Sequence, residues 1–183
     1  MSNRIPLVLA GTIAALMMSA SFVAPAAARE KTVMVGGAAM YPSKNIVENA
    51  VHSKDHTTLV AAVKAAGLVD TLEGPGPFTV FAPTNAAFGK LPKGTVATLV
   101  KPENKATLTK ILTYHVVPGR LEASDLTDGK TLTTVEGEQL TVRNNGGRIS
   151  IIDAKGGVSR VTIANVNQSN GVIHVVNSVL MPG

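Results

Sequence analysis

The feature that most constrains the fold of this chain is a change in the period of its apolar residues near Lys130. Before that point, apolar residues recur at spacings of three and four, which is typical of one face of an α-helix. After it, they alternate with polar residues, which is typical of half-buried β-strands. Because helices come first and strands second, without regular alternation of the two, the sequence predicts one α+β domain.

The helical part of the chain shows recognisable start and stop signals. Ser43 is expected to cap a first helix at its N-terminus. A second helix is expected to begin after Asp55 and to end at Gly67, a residue that tolerates the left-handed backbone of a C-cap. A longer helix is expected from about Glu103, in a segment that ends at Pro118-Gly119. The apolar face of that helix contains Leu108, Ile111, Leu112 and His115.

A compact apolar segment runs from Phe78 to Phe88. Its β-branched and aromatic residues predict a buried strand, which Pro83 ends because proline has no N–H for a sheet. Thr84 can cap a short helix that returns Phe88 to the same apolar cluster. We therefore expect a packing role for the residues of this segment, namely Phe78, Phe81, Pro83, Thr84, Asn85 and Phe88.

The second half of the chain predicts antiparallel strands joined by tight turns. Two alternating segments, 139–143 and 148–152, flank an Asn-Asn-Gly-Gly turn. Two further strands, Val158–Val166 and Val172–Val176, are expected to meet at Asn170-Gly171. His174 alternates in register with its valine neighbours, so it is expected to be a sheet residue rather than a ligand.

The first 28 residues have the pattern of a secretory signal peptide. Arg4 precedes an apolar run, and Ala26-Ala27-Ala28 supplies the small residues of a cleavage site. A retained membrane anchor is the alternative, but the apolar run is short and contains Pro6. The expected organisation is therefore a signal peptide (1–28), an extended N-terminal lead-in (29–42) and one domain (43–183). The expected location is secreted or periplasmic, without a membrane span after cleavage.

Composition excludes several classes of function. The chain has no cysteine, so it has neither disulfides nor thiolate chemistry. The net charge is +5, and removal of Arg4 with the signal peptide leaves +4. The basic residues are spread along the chain, which favours a solvated surface, with acidic polysaccharide or lipid headgroups as the alternative anionic partners. Aromatic residues make up only 3% of the chain, which argues against binding of nucleic acid.

The sequence offers little for catalysis or metal binding. Glu136 and Glu138 flank Gly137 in an expected turn, and no recognised nucleophile or metalloprotease motif is present. His52 and His56 have helical i, i+4 spacing, but no acidic or sulfur ligand nearby completes a metal site. A copper or zinc site that combined them with Met34 and Met40 would need the N-terminal lead-in to fold back. We therefore expect no enzyme activity, no cofactor and no metal.

Three motifs together carry a family resemblance: Gly76–Phe88, Ile111–Gly119 and Asn170–Val176, followed by Leu180 and Pro182. In this order and spacing, the chain resembles a fasciclin-like domain over nearly all of residues 43–182. The resemblance implies a wedge of two β-sheets with helices packed along one side. It also implies an exported adhesion module that binds a surface or matrix protein or a polysaccharide, and that we expect to be a monomer.

The family resemblance points to Tyr114 and His115 as candidate binding residues. The position of His115 on an apolar helical face favours a structural role, with its ring hydrogen-bonded inside the fold. Tyr114 lies one residue further round the helix and is expected to face outward, where its ring and hydroxyl would suit an interface.

Two other functions remain open from the sequence. One is a periplasmic carrier of a small hydrophobic ligand, which a contiguous apolar cavity would favour. The other is a secreted enzyme acting on cell-wall sugars, which a cleft lined by two carboxylates would favour.

Overall fold

A computed structural model describes residues 31–183 of the chain. The predicted signal peptide, 1–28, lies outside the described residues. The segment expected as an extended lead-in forms a hairpin of β1 (Val33–Val35) and β2 (Ala38–Met40). Val35 and Met40 are buried against the rest of the domain, so this segment contributes to the core.

Six α-helices occur in this part of the chain: α1 (Ile46–Ala50), α2 (Thr57–Ala66), α3 (Val69–Glu73), α4 (Asn85–Gly89), α5 (Thr95–Leu99) and α6 (Lys105–Tyr114). The expected cap at Ser43 is wrong, because α1 is capped by Asn45. The Asn45 side chain accepts from the N–H of Glu48, whose carboxylate accepts from the N–H of Asn45, each at 2.8 Å. Gly67 ends α2 with φ 71°, as predicted. None of the helices in residues 31–183 is long and apolar enough to cross a bilayer.

Seven strands form the main sheet: β3 (Phe78–Pro83), β4 (Val116–Pro118), β5 (Thr131–Thr133), β6 (Gln139–Asn145), β7 (Arg148–Ile152), β8 (Val158–Gln168) and β9 (Gly171–Val176). Their spatial order is β4-β3-β9-β8-β7-β6-β5. All neighbouring pairs are antiparallel except β3 and β9, which run parallel. The parallel pair places the first and last strands of the sheet side by side, in register from Phe78↔Gly171 to Pro83↔Val176.

The sheet bends at β8, which belongs to two halves. The first part of β8 pairs with β7, and a longer part pairs with β9. Register shifts lie between Val161 and Ile163 and between Ile163 and Val166. Such irregularities bend a strand and increase its twist. The two edge strands of the sheet, β4 and β5, come close to each other: the N–H of Val135, just after β5, donates to the carbonyl oxygen of Val116 in β4 at 2.8 Å. The result is the predicted wedge of two β-sheets in an α+β domain.

Two apolar cores follow from this arrangement. One lies inside the wedge and includes Phe81, Tyr114 and Leu140. The other lies between the wedge and the helices and includes Val80 and Phe88. Since successive side chains of a strand point to opposite faces, β3 supplies residues to both cores. The helices therefore pack along one side of the wedge, as expected.

Candidate functional site

The candidate site lies where α6 ends and β4 begins. Leu108, Ile111 and Leu112 are buried on one face of α6, as their spacing predicts. The helix ends at Tyr114, and His115 is its C-cap, with its N–H donating to the carbonyl oxygen of Leu112 at 3.1 Å. The expected continuation towards Pro118-Gly119 is wrong, because the chain turns directly into the short strand β4.

Tyr114 is completely buried, with 0% of its surface exposed. Its hydroxyl donates to the carbonyl oxygen of Gln139 at 3.1 Å and accepts from the N–H of Ala154 at 2.8 Å. Burial raises the pKa of Tyr114, so the phenol stays neutral. The expected outward orientation of Tyr114 is wrong, because the wedge closes over the end of α6 and offers the hydroxyl two backbone partners.

His115 is also buried and has both ring nitrogens in hydrogen bonds. Nδ1 lies 2.8 Å from the carbonyl oxygen of Ile111, and Nε2 accepts from the N–H of Leu180 at 3.0 Å. These partners require a neutral ring with its proton on Nδ1. Burial lowers the pKa of His115 to about 4, an effect that the Ile111 carbonyl and the charge of Asp153 partly oppose. The structural interpretation of His115 agrees with this geometry.

Asp153 holds the C-terminal segment beside the site. One of its carboxylate oxygens accepts from the N–H groups of Lys155 and Gly157, at 3.0 and 2.7 Å. The other accepts from the N–H of Met181 at 3.0 Å. Together with the bond from Leu180 to His115, these contacts tie residues 180–181 to the end of α6. The site is therefore a junction of distant segments held by buried polar groups.

His174 lies in β9, and its ring is also held by hydrogen bonds inside the fold. It is fully buried and stacks on Phe81, with ring centroids 5.7 Å apart. Its Nε2 donates to the carbonyl oxygen of Leu121 at 2.7 Å, and its Nδ1 accepts from the N–H of Asn165 at 3.4 Å. Burial lowers the pKa of His174. This ring therefore fastens the loop after β4 to the sheet.

The polar residues that follow β3 cap two helices. Thr84 caps α4, its hydroxyl accepting from the N–H of Ala87 at 3.2 Å. The Asn85 side chain reaches the start of α2, where its oxygen accepts from the N–H of Thr58 at 3.0 Å and its amide donates to the carbonyl of Lys54 at 2.8 Å. Thr84 and Asn85 therefore have packing and capping roles.

The carboxylates of Glu136 and Glu138 share a cation at the surface. Lys110 Nζ lies 3.0 Å from Glu138 Oε1 and 3.7 Å from Glu136 Oε1. Between them, Gly137 has φ 112°, in agreement with the predicted turn. The Lys110 side chain is 42% exposed, so these ion pairs are accessible to water. The two carboxylates and Lys110 form a surface ion-pair network.

A small apolar cavity lies between the helices and the sheet. Its volume is about 80 Å³, and its lining includes Val63, Leu72, Ala82 and Ile173. His56 also lines the cavity, and its Nε2 has no hydrogen-bond partner among the described residues. Burial lowers the pKa of His56, and the nearby Ala82 carbonyl opposes that change without meeting hydrogen-bond geometry.

The histidine pair considered for metal binding is split by the fold. His56 is buried, whereas His52 lies exposed in the turn after α1. Within residues 31–183, no three His, Asp or Glu side chains come close enough together to hold a metal ion. Met34 is 60% exposed and Met40 is buried, so the two methionines of the hairpin lie in different environments.

Comparison with known proteins identifies relatives over most of the chain. A fasciclin domain model matches residues 54–182. Protein sll1483 of Synechocystis is 48% identical over 153 residues, which cover 84% of this chain and 82% of that protein. The cell surface glycolipoprotein MPB83 of Mycobacterium bovis is 44% identical over 115 residues, covering 63% of this chain and 48% of that protein.

A solved structure shares the fold at low sequence identity. It is a FAS1 domain pair from the insect cell adhesion molecule fasciclin I, with a TM-score of 0.67 and 19% identity. The match covers 77% of this chain and 52% of the insect chain. This likeness supports the wedge architecture described above.

Proposed function

Because the chain belongs to the fasciclin domain family, we propose that it is an exported, non-catalytic binding module that acts in adhesion to cells or surfaces. The partner would be a surface or matrix protein or a polysaccharide. The signal-peptide pattern of residues 1–28 supports export, as does the name of the relative MPB83, a cell surface glycolipoprotein. The insect relative in fold is a cell adhesion molecule.

The observation that carries this proposal is how the interior of the domain uses its polar groups. Tyr114, His115, Asp153 and His174 are buried, and the hydrogen bonds of each go to backbone groups within the fold. Among buried side-chain atoms in residues 31–183, His56 Nε2 alone has no partner. Groups engaged in this way are poorly placed for proton transfer to a substrate. A domain whose interior polar groups are engaged in this way is suited to presenting an outer surface.

Tyr114 and His115 enter the proposal as positioning residues. Both are buried, so a partner cannot contact them while the domain keeps this conformation. Their hydrogen bonds hold Gln139 and Ala154, which are exposed on the surface of the wedge, and the buried Leu180 of the C-terminal segment. We expect them to affect binding through the shape of that surface.

Deletion of the gene tests the adhesive function. Attachment of the deletion strain to cells, matrix or abiotic surfaces is measured under conditions in which the wild type makes the protein. Reduced attachment, restored by the wild-type gene, is the expected result. Attachment equal to that of the wild type would contradict the proposal.

The cavity supports a second candidate function, the carriage of a small apolar ligand. An apolar cavity of 150 Å³ can hold benzene, so about 80 Å³ has room only for a smaller apolar molecule or part of one. His56 Nε2 would offer one hydrogen bond to such a ligand. Xenon is a suitable probe, because it needs no polar contact.

Xenon binding is measured by methyl NMR shifts of Val63, Leu72 and Ile173. Ala82→Val, which adds volume at the lining, should reduce these shifts, and Ala97→Val on the exposed face of α5 is the matched control. The carrier function would be contradicted if xenon left the lining methyl groups unshifted.

A further inference from the structure

Three arginines lie together on the outer face of β6, β7 and β8. Arg143 pairs across the strands with Ser150, and Ser150 pairs in turn with Arg160. Arg148 lies two residues before Ser150 and pairs with Asn145 on β6. All three arginines are exposed, and the residues that alternate with them point into the wedge core. The hairpin register therefore gathers basic residues that are dispersed in the sequence.

The spacing of these arginines follows from sheet geometry. Neighbouring strands lie about 4.8 Å apart, so the backbones at Arg143 and Arg160 are separated by about 10 Å. A step of two residues along a strand is about 6.8 Å, which places Arg148 about 8 Å from each of them. Three positive charges therefore form a triangle on one face of the sheet.

No internal partner neutralises this triangle. Residues 31–183 contain four arginines, and the guanidinium of Arg120 is used inside the fold, bonded to Asn167 and to the carbonyl of Gln168. The other three make neither a hydrogen bond nor an ion pair through their side chains within the described part of the chain. Like charges placed this close repel one another, so the triangle does not stabilise the fold.

The rest of this face is uncharged and polar. The outward positions of β5 and β6 are threonine, glutamine and asparagine apart from Arg143, and no aspartate or glutamate occurs in β5, β6, β7 or β8. Thr141, Asn145 and Ser150 offer hydroxyl and amide groups beside the arginines. Arginine binds carboxylate and sulfate through paired N–H groups, and neutral hydroxyls and amides suit sugar hydroxyls.

We propose that the outer face of β6–β8 binds an extended anionic polysaccharide, carboxylated or sulfated. The inference rests on the proposed adhesive function and gives the class of its partner. Nucleic acid fits this face less well, because β5–β8 contain no aromatic side chain on which a base could stack. A membrane surface also fits less well, because the face lacks the aromatic and leucine side chains that insert among lipids.

Binding of the purified chain to heparin and to polygalacturonate tests the proposal, with neutral dextran as the reference probe. The test variant carries Arg143→Gln, Arg148→Gln and Arg160→Gln. The control variant carries Lys64→Gln, Lys93→Gln and Lys105→Gln, three exposed positions in the helical half of the chain. The two variants have the same net charge, so any difference between them reports the location of the charges.

We expect the arginine variant to bind the polyanions about tenfold more weakly than the wild type, as the loss of three exposed charge pairs implies. The lysine variant should keep most of the affinity. Binding by the wild type should weaken as salt is added, and the arginine variant should show a smaller dependence on salt. A triple variant with lysine at the three arginine positions retains the charge but not the paired N–H groups, so its affinity should lie between those of the wild type and the Arg→Gln variant.

Three results would overturn the proposal. The wild type could fail to bind either polyanion at low salt, or the arginine and lysine variants could lose the same amount of affinity. The wild type could also bind anionic vesicles or DNA as tightly as it binds the polysaccharides. Thermal unfolding of the arginine variant excludes misfolding as the cause of lost binding. If deletion of the gene left attachment unchanged, the proposed adhesive function would be contradicted, but the measured binding to polysaccharide would still support the arginine site. The two failures are therefore distinguishable.

Discussion

The buried imidazole of His115 makes a quantitative prediction about stability in mild acid. The folded chain holds this ring neutral, with its pKa lowered to about 4, whereas a histidine in the unfolded chain titrates near 6.5. Between these two values, the unfolded chain takes up a proton that the folded chain does not. The contribution of His115 to stability therefore falls as the pH drops below about 6.5, and it levels off below about 4.

The size of the effect follows from the difference between the two pKa values. Each pH unit in this window lowers the free energy of unfolding by about 1.4 kcal/mol, so the whole window amounts to about 3 kcal/mol. Between pH 7.5 and pH 5, the His115 part is about 2 kcal/mol. The lowered pKa values of His56 and His174 act in the same direction. Measurements stop at pH 5 because carboxylates titrate below that value.

Urea unfolding followed by far-UV circular dichroism is the appropriate assay, because the chain has no tryptophan. His115→Gln retains a donor and an acceptor but does not titrate. It should be less stable than wild type at pH 7.5, and its loss of stability between pH 7.5 and 5 should be smaller by about 2 kcal/mol. His52→Gln, at an exposed position, is the control and should follow the wild type.

Two outcomes would refute this reasoning. One is a His115→Gln variant whose stability falls between pH 7.5 and 5 as steeply as that of the wild type. The other comes from NMR titration of the wild-type imidazole, which does not depend on whether the variant folds. A measured His115 pKa near 6.5 in the folded chain would show that burial does not hold the ring neutral.

Three further predictions concern the packing of the domain, and chemical denaturation checks each of them. Tyr114→Phe leaves two backbone partners of the hydroxyl without a hydrogen bond and should lower the free energy of unfolding by about 2 kcal/mol. Unchanged stability would show that water takes the place of the hydroxyl. Gly171→Ala should lower the free energy of unfolding by more than about 3 kcal/mol, because a Cβ there would overlap the backbone carbonyl of Phe78. At Gly89 a Cβ would meet open space, so Gly89→Ala should leave the free energy of unfolding unchanged or raise it by up to about 1 kcal/mol. Thr84→Ala should cost about 1 kcal/mol through loss of the α4 cap, and Thr84→Ser should restore most of it.

Much of the local structure could be predicted from the sequence. The end of α2 at Gly67 and the strand–cap–helix order of residues 78–89 follow from short-range signals. The turn at Gly146-Gly147 and the inward positions of Ile149 and Ile151 also agree with the expected alternation. The cap predicted at Ser43 is wrong, because Asn45 and Glu48 form a capping box that the apolar spacing alone does not reveal.

The sequence predicts the environment of only some of the candidate site residues correctly. The sequence placed His115 on the apolar face of α6 and gave it a structural role, which its hydrogen bonds support. It placed Tyr114 outside, because one turn of helix says nothing about strands that pack against it later in the chain. The arginine face was missed, although the alternation around Gly146-Gly147 puts Arg143 and Arg148 on the same side of one hairpin.

The sequence by itself determined which segments are helical and which are extended, where several of them end, and the family to which the chain belongs. These properties depend on backbone preferences and apolar periods within a few residues. The tertiary structure alone decided that β3 runs parallel to β9, that Tyr114 is buried and that three arginines meet on one face. Each of these depends on pairing between distant segments: the partners of the Tyr114 hydroxyl lie 25 and 40 residues away along the chain. A local sequence pattern does not report such contacts, because they stabilise the chain only after distant segments have come together in the wedge.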